Sequence, residues 1–302
     1  MTVRTEPRRT ALRPAPGAPP GRTPARAAAR RVAARIVHYL LLLGMLVVLI
    51  GPFAWQLSTS LKGTAESVFS YPPDLWPDDP TLANYAKAAQ TVPVWRYGLN
   101  SLIVALGSAL TNCLFGAMAG YALARMRFRG RKVVFAAFLA TMIIPFEVIM
   151  VSVFLTSRSL GLVDTLLGVL LPTAVTGLSV LLLRNGFRAL PVEVEEAAML
   201  DGAGEWQRFW RVALPSVRGT LTVVAIFSFV FSWDDFLWPL IVLSSPRNYT
   251  LTVGIQYLSG TFTADQRVIA AGTMIAVLPL LALFFALQRF FFRGVGEGAV
   301  KG

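Results

Sequence analysis

The stretch PVEVEEAAMLDGAGEWQRFWRVALP, residues 191–215, is polar and helix-breaking, and it lies between two long apolar runs. Pro191 and the three glutamates that follow it suit the start of a helix, because proline needs no N–H partner there and negative charge stabilises the positive end of the helix dipole. We expect this helix to end near Leu200. Asp201-Gly202-Ala203-Gly204 then predicts a turn, followed by a second amphipathic segment from Glu205 to Val212.

A segment of this kind lies outside a bilayer, and its composition alone also fits a plain connector. In that interpretation the glutamates are solvated, and Trp206 and Trp210 lie at the lipid headgroups. The spacing of the residues argues for something more specific. Glu196-Ala197-Ala198 is followed by three residues, then Gly202, then nine residues, then Val212-x-Leu214-Pro215.

This order resembles the EAA loop of the permeases of binding-protein-dependent ATP-binding-cassette (ABC) importers, whose pattern is EAA, three residues, G, nine residues, I-x-LP. Val212 stands where the pattern has isoleucine. We call residues 191–215 the EAA segment. In that family the loop forms a coupling helix that docks in a cleft of the cytoplasmic ATPase subunit. The resemblance therefore implies an ATPase-coupling role for Glu196, Ala197, Ala198, Asp201, Gly202, Leu214 and Pro215.

The composition is that of a membrane protein. Of the 302 residues, 55% are hydrophobic and 15% are charged, which is too few charges for a soluble domain of this length. The net charge of +12 does not indicate nucleic-acid binding, because the basic residues cluster beside the long apolar runs. The sequence predicts an all-α polytopic fold with six spans, at about 36–57, 98–123, 133–155, 165–183, 220–243 and 268–291.

The charge distribution orients these spans. The segments 1–35, 125–132, 184–218 and 289–302 carry 22 of the 28 basic residues, and six spans place all four on one side. The positive-inside rule predicts that this side is cytoplasmic, with both termini on it. The resemblance implies that the membrane is a bacterial or archaeal plasma membrane. The EAA segment is then cytoplasmic as well.

The domain organisation follows from the same pattern. Residues 1–35 are rich in Arg, Ala and Pro and are expected to form a disordered basic tail. A secretory signal or an organelle transit peptide is a competing interpretation of this end. Residues 36–291 form the transmembrane permease domain, and 292–302 a cytoplasmic tail. Within the second span, Gly116 and Gly120 form a small-residue face that is suited to close helix contact.

Two further stretches resemble the sugar-transporting branch of these permeases. They are Thr81-Leu82-Ala83-Asn84-Tyr85, after a proline-rich stretch in the outer segment 58–97, and the ending Gly298-Ala299-Val300-Lys301-Gly302. The resemblance implies a type I importer fold and a heterodimer with a second permease. It also implies two ATPase subunits in the cytoplasm and a solute-binding protein outside, with a sugar or sugar-like solute as cargo.

The sequence contains few residues that could form a metal site, a nucleotide-binding site or a catalytic site. It has one cysteine, Cys113, and one histidine, His38, which is too few for a disulfide framework or a Cys/His metal site. There is no G-x-x-x-x-G-K-[ST] stretch to hold ATP phosphates and no catalytic constellation. We therefore expect no enzyme activity, no metal and no cofactor in this chain, with ATP bound by the partner ATPase subunits.

Three acids lie within predicted spans, where ionisable groups usually face a protein interior or a wet cavity. At a rise of about 1.5 Å per residue, Glu147 lies about 21 Å up the third span, and Asp234 and Asp235 lie about 24 to 26 Å up the fifth. We predict that these acids border a substrate path together with Trp233 and Trp238. In the alternative interpretation, Asp234 or Asp235 braces a helix broken near Pro239.

Two other function classes remain at this point. An ion-gradient-driven secondary transporter would use the intramembrane carboxylates as proton or cation sites, but it leaves the EAA spacing without a purpose. A membrane scaffold without transport accounts for neither feature. In the related permeases the fifth span often carries a W-N-x-F-x-x-P-L segment, and Asp234 replaces its amide here.

Overall fold

The computed structural model describes residues 24–72, 74–260 and 265–299, and every regular element in these ranges is helical. The predicted tail up to residue 23, part of the outer segment at 261–264 and the last three residues lie outside the described ranges. The chain divides into two units, Met1–Ala54 and Trp55–Gly302. The first helices are α1 (Pro24–Leu61), α2 (Ala83–Thr91), α3 (Val94–Arg125), α4 (Arg131–Ile143), α5 (Phe146–Ser159), α6 (Leu166–Leu170), α7 (Gly177–Ala189) and α8 (Val192–Leu200). They are followed by α9 (Glu205–Arg208), α10 (Leu214–Ser216), α11 (Arg218–Asp234), α12 (Leu237–Val242), α13 (Leu251–Gly260) and α14 (Gln266–Ala299).

Three stretches are long and apolar enough to cross a membrane as single helices: Val32–Leu61, Val94–Arg125 and Gln266–Ala286. Three further pairs of helices meet this test only when each bent pair is counted as one span. Counted in this way, the described chain has up to six spans, and the predicted all-α class is confirmed.

The first correction concerns the basic tail. Residues 24–35, which the sequence analysis places in a disordered segment, form the first turns of α1. Alanine and arginine are among the strongest helix formers, and this stretch consists almost entirely of them. The apolar part of the same helix follows directly. Because only the first turn of a helix is costly to form, residues 24–35 can be added to an existing helix at little cost in free energy.

The predicted third span, 133–155, is two helices. The axes of α4 and α5 differ by 107°, and the break falls at Ile144 and Pro145. Proline has no N–H to donate and its ring clashes with the preceding turn, so the helix ends before it. The length estimate that put Glu147 about 21 Å along a straight helix therefore does not apply.

The fourth and fifth spans are also interrupted. A bend of 47° separates the helical stretch Leu166–Thr173 from α7. In the fifth span α11 ends at Asp234, Asp235 is extended, and α12 follows. Pro239 explains this second break, because without an N–H it cannot bond to the Asp235 carbonyl four residues earlier. The Thr252 hydroxyl donates to that carbonyl instead, over 2.8 Å.

The central element is α3, which packs most extensively against α7 and α11. Its predicted small-residue face is used for this contact. A Cβ at Gly120 would lie 2.9 Å from the Arg184 backbone nitrogen, and one at Gly116 would lie 3.2 Å from the Ser179 Cβ. Only glycine allows α3 and α7 to approach this closely.

Two apolar clusters hold the second unit together. The larger one includes Tyr97, Trp233 and Trp238 and lies around the breaks in the spans. The smaller one joins the C-terminal halves of α3 and α7 and the N-terminal half of α11 to the EAA segment, and its members are Ala117, Tyr121, Leu183, Phe187, Phe209, Ala213, Val217 and Val224. The EAA segment is therefore packed against the transmembrane helices.

Candidate functional site: the EAA segment and the intramembrane cavities

The EAA segment folds as two short helical limbs joined by a glycine turn. Its first limb, α8, ends at Leu200 as the sequence predicts. Gly202 has a φ of +80°, which residues with a Cβ adopt at a cost. Its N–H donates to the Met199 carbonyl at 3.0 Å, and the Ala203 N–H donates to the Ala198 carbonyl at 2.9 Å, so the end of α8 is closed by its own backbone.

The second limb begins with α9, passes through a π-helical turn at Phe209–Ala213 and ends in α10. It ends at Ser216, whereas the amphipathic segment predicted from the sequence runs from Glu205 to Val212. A groove of about 420 Å³ runs between the two limbs. Three of the predicted coupling residues line this groove: Ala198, Asp201 and Gly202.

The remaining coupling candidates take two positions. Glu196 and Ala197 are exposed on α8, and Pro215 is exposed at the end of the second limb. Leu214 is half-buried and packs against the smaller apolar cluster. The exposed candidates and the groove form one accessible surface, and Leu214 belongs to the support beneath it.

Aromatic side chains fasten the second limb to the transmembrane helices. The Phe209 ring lies 5.2 Å from the Tyr121 ring of α3 and 6.4 Å from the Phe187 ring of α7, measured between centroids. Tyr121 and Phe187 also meet edge-on at 5.4 Å. All three side chains are buried, so the second limb cannot move without disturbing both helices.

A buried ion pair fastens the first limb. Arg125, the last residue of α3, places Nε 2.9 Å from Oε1 of Glu195 on α8, and its Nη2 donates to the Leu190 carbonyl at 2.6 Å. The sequence analysis missed this pair. Three glutamates of α8 looked alike in the sequence, and the only available signal was a basic residue at the end of an apolar run.

The five predicted substrate-path residues separate into three environments. Glu147 and Asp235 line one cavity of about 480 Å³. Trp233 and Asp234 line a second cavity of about 320 Å³. Trp238 is buried, and its indole N–H donates to the Gly168 carbonyl at 3.1 Å. The consecutive carboxylates of Asp234 and Asp235 thus face different cavities, because the helix breaks between them.

Asp235 also has the bracing contact of the alternative interpretation. Its Oδ1 accepts a hydrogen bond of 3.4 Å from the backbone N–H of Trp238, at the start of α12. A carboxylate in this position stabilises the first turn of the helix that follows the break. Both interpretations fit Asp235, since one carboxylate oxygen can brace α12 while the group faces the cavity.

The larger cavity is polar on several sides. Besides its two carboxylates it is lined by the amide of Asn112 and by hydroxyl groups on α3, α4, α7 and α11. Aromatic rings of Phe146, Phe227 and Phe231 complete the wall. Alternating hydroxyl, carboxylate and aromatic surface is suited to a polyhydroxylated solute, whose ring has polar edges and apolar faces.

Asn112 is a second residue that the sequence analysis missed. It is fully buried on α3, and its Nδ2 donates to the carbonyls of Ser108 and Thr173 at 3.0 and 2.9 Å. Its Oδ1 accepts from the Thr176 N–H and hydroxyl and from the Ser179 hydroxyl. One amide thus satisfies the backbone at the break in the fourth span.

Asp164 joins the α5–α6 turn to the segment after α12. The Ser245 hydroxyl and the N–H groups of Ser245 and Ser244 donate to its carboxylate, the two N–H groups at 2.9 and 3.0 Å. These bonds hold the pKa of Asp164 well below its ordinary value. No group of three or more His, Cys, Asp or Glu residues in the described ranges is arranged to hold a metal ion.

Comparisons with known proteins agree on one family. The model of the family described as "Binding-protein-dependent transport system inner membrane component" matches residues 112–297, a range that contains the EAA segment. The diacetylchitobiose uptake system permease protein NgcG of Streptomyces coelicolor is 35% identical over 270 residues, covering 88% of this chain and 88% of the relative. The arabinooligosaccharides transport system permease protein AraQ of Bacillus subtilis is 33% identical over 208 residues, covering 69% and 74%.

The fold has a counterpart among solved structures. A chain of a bacterial ABC transporter involved in the import of the acidic polysaccharide alginate superposes with a TM-score of 0.77. The two chains are 23% identical, and the match covers 87% of this chain and 98% of the other. At this identity the likeness establishes the fold alone.

Proposed function

The chain belongs to the family of binding-protein-dependent transport system inner membrane components, and from this premise we propose that it is one permease subunit of an ATP-driven sugar importer. The family consists of transport components and not of enzymes. The names of the relatives support a sugar or sugar-like cargo, since they describe uptake of diacetylchitobiose and of arabinooligosaccharides. The ion-gradient-driven alternative is not favoured by this family membership.

The observation that carries the proposal is the construction of the EAA segment. Its exposed side offers Glu196, Ala197 and the groove around Gly202 to a partner. Its other side is packed through Phe209 against the ends of α3 and α7. A surface that is open on one side and firmly attached on the other is what a coupling element requires, because force applied by a partner then reaches the membrane helices.

The partners follow from this role. We propose a heterodimer with a second, related permease, two cytoplasmic ATPase subunits that bind the EAA segments, and an extracytoplasmic solute-binding protein. The chain is a membrane component, and we place both termini in the cytoplasm of a bacterial or archaeal cell. ATP is bound by the ATPase subunits, so this chain needs no cofactor.

The solute path is proposed along the larger cavity. Glu147 and Asp235 offer carboxylates to solute hydroxyls, and the neighbouring aromatic rings offer apolar faces. Asp234 and Trp233, which line the second cavity, are proposed to border the path from the α14 side. Trp238 is proposed to fix the wall between α6 and α12, because its indole is bonded to Gly168.

The test is made on the importer assembled with its natural partner subunits. Gly202→Val places a β-branched residue at a positive φ and is expected to distort the turn, so that the ATPase subunits no longer copurify. Gly202→Asn is the matched control, since asparagine tolerates this backbone conformation and the added Cβ meets open space. Equal ATPase recovery with both variants would contradict the docking role.

Transport is tested with Glu196→Lys, which reverses an exposed charge of α8. We expect ATP hydrolysis to continue while uptake of radiolabelled diacetylchitobiose or arabinooligosaccharide into proteoliposomes is lost. Glu193→Lys, an equally exposed change on the same helix, is the control. Uptake that persists in the absence of any ATPase subunit would overturn the proposal as a whole.

A further inference from the structure

We propose that the Arg125–Glu195 ion pair is the link through which movement of α8 reaches α3, with Arg125 and Glu195 as positioning residues for transport. The inference rests on the proposed coupling role of the EAA segment and goes beyond it. It assigns the transmission of force from α8, the first limb, to one side-chain contact, which acts beside the Phe209 packing of the second limb. Neither residue touches the solute or ATP.

The geometry is that of a three-way connection. Arg125 terminates α3, its Nε pairs with Glu195 in the middle of α8, and its Nη2 bonds to the Leu190 carbonyl that follows α7. The two side chains are only 13% and 9% exposed. One guanidinium group therefore links the end of α3 to the end of α7 by a hydrogen bond and to α8 by a close charge contact without hydrogen-bond geometry.

The glutamates of α8 divide by position. Glu193 and Glu196 are exposed, whereas Glu195 is buried against the protein. The exposed Glu196, one of the predicted coupling residues, is available to a docking partner, and the buried Glu195 faces α3. Salt hardly screens two buried charges, and either charge is costly to bury without the other. We therefore expect the two side chains to stay in contact when α8 is displaced.

The connection leads directly to the larger cavity. The helix α3 is continuous over 32 residues, and Asn112 lies 13 residues before Arg125, about 20 Å along the axis. Asn112 lines the cavity and holds the break in the fourth span. A pull on Arg125 thus moves a residue of the cavity wall along an unbroken helix.

The alternative route through α11 is less direct. A bend of 78° separates the helical stretch Glu205–Ser216 from α11. A displacement of the EAA segment along its own axis is therefore not transmitted along the axis of α11.

The chain carries a natural reporter for this movement. Cys113, its single cysteine, follows Asn112 on α3 and is half-buried, with Sγ 3.5 Å from the Leu221 carbonyl of α11. If α3 shifts against α11, access to this thiol changes. Its alkylation rate needs no knowledge of the transported solute.

The experiment uses the complete importer, assembled with its partner subunits in lipid nanodiscs. The alkylation of Cys113 by N-ethylmaleimide is followed by mass spectrometry of its peptide, without nucleotide and with Mg-ATP and vanadate. We expect the wild-type rate to depend on nucleotide. Glu195→Gln is expected to reduce this dependence severalfold, with the remainder carried by the Phe209 packing, and Arg125→Lys, which keeps the charge but not the three-way contact, to reduce it less.

Glu193→Gln is the matched control, because it removes an exposed charge from the same helix and is expected to keep the wild-type response. The proposal is contradicted if the alkylation rate of Cys113 depends on nucleotide in Glu195→Gln as it does in the wild type. A wild-type complex that retains its ATPase but shows no response at Cys113 also overturns it. Failure of any ATPase subunit to assemble would instead count against the proposed function.

Hydrogen exchange provides a second readout that does not depend on Cys113. Amides of residues 192–200 are expected to exchange at least about tenfold faster in Glu195→Gln, because loss of a buried partner releases α8 from α3. Exchange in Glu193→Gln is expected to match the wild type. Equal exchange in wild type and Glu195→Gln would show that the pair does not hold α8, and would overturn the inference even if the variant assembled poorly.

Discussion

The side-chain oxygen of Asn112 on α3 accepts a hydrogen bond from the hydroxyl of Ser179 on α7 at 2.7 Å. The same oxygen accepts from the backbone and hydroxyl of Thr176, in the break between α6 and α7. Backbone groups at a helix break need partners when no water is near. The contact between Asn112 and Ser179 therefore fixes a non-helical stretch beside the larger cavity.

This arrangement predicts a large effect for Asn112→Leu. The leucine has a similar volume but leaves the Thr173 carbonyl and the Thr176 N–H without partners, which costs about 1–3 kcal/mol for each buried group. We expect a lower thermal unfolding temperature of the purified protein. An Asn112→Leu protein as stable as wild type would mean that other groups satisfy this break.

The close contact between α3 and α7 gives a second prediction. Gly120→Ala puts a methyl group 2.9 Å from the Arg184 backbone nitrogen, so the helices must separate, at a cost of about 1–3 kcal/mol. Gly116→Ala meets a side chain at 3.2 Å and is expected to cost less. Gly98→Ala, at the open start of α3, is the control and is expected to be neutral. Equal unfolding temperatures for the Gly120 and Gly98 variants would contradict the packing.

A third prediction concerns the turn between α5 and α6, where the pKa of Asp164 is lowered first of all by the Ser245 hydroxyl. A carboxyl with a lowered folded-state pKa stabilises the protein above its unfolded pKa of about 4, and this stabilisation is lost as pH falls towards the folded-state value. Asp164→Asn keeps a residue that tolerates the φ of 61° but removes the charge.

We expect wild type to unfold at a higher temperature than Asp164→Asn at pH 7, with a difference that shrinks as the pH is lowered below about 4. Asp74→Asn is the control, since the exposed Asp74 carboxylate accepts one bond, from the Ser70 hydroxyl. A difference between wild type and Asp164→Asn that stays constant with pH would rule out the charge as its source.

The sequence predicts the number and order of the spans better than the angles at which their helices break. Alternating apolar runs and basic clusters indicate six spans, and the spacing in the EAA segment indicates two limbs with a turn at Gly202. Proline marks where a helix ends, as at Pro145, but the angle of 107° depends on what the two halves pack against. The distribution of Asp234 and Asp235 between two cavities has the same cause, since it follows from a break whose geometry is set by distant residues such as Thr252.

The final prediction separates the two roles of Asp235. The substitution Asp235→Asn keeps a side-chain oxygen that can accept the hydrogen bond from the backbone N–H of Trp238, which measures 3.4 Å. It removes the negative charge from the larger cavity. If the carboxylate bonds to the solute, Asp235→Asn is expected to reduce uptake by roughly tenfold at normal protein levels, since hydrogen bonds to charged groups contribute about 1.5–3 kcal/mol. Asp235→Ala is expected also to lower stability by about 1 kcal/mol, because the backbone N–H of Trp238 loses its side-chain acceptor.

Asp234→Asn is the comparator, because Asp234 is exposed and lines the second cavity, away from Glu147. We expect it to reduce uptake less than Asp235→Asn does, because the larger cavity holds two carboxylates and most of the hydroxyl groups. Uptake is measured in proteoliposomes alongside the amount of assembled complex. Near-normal uptake by both variants would leave Asp235 with the bracing role alone, because its contact with Trp238 survives the loss of charge.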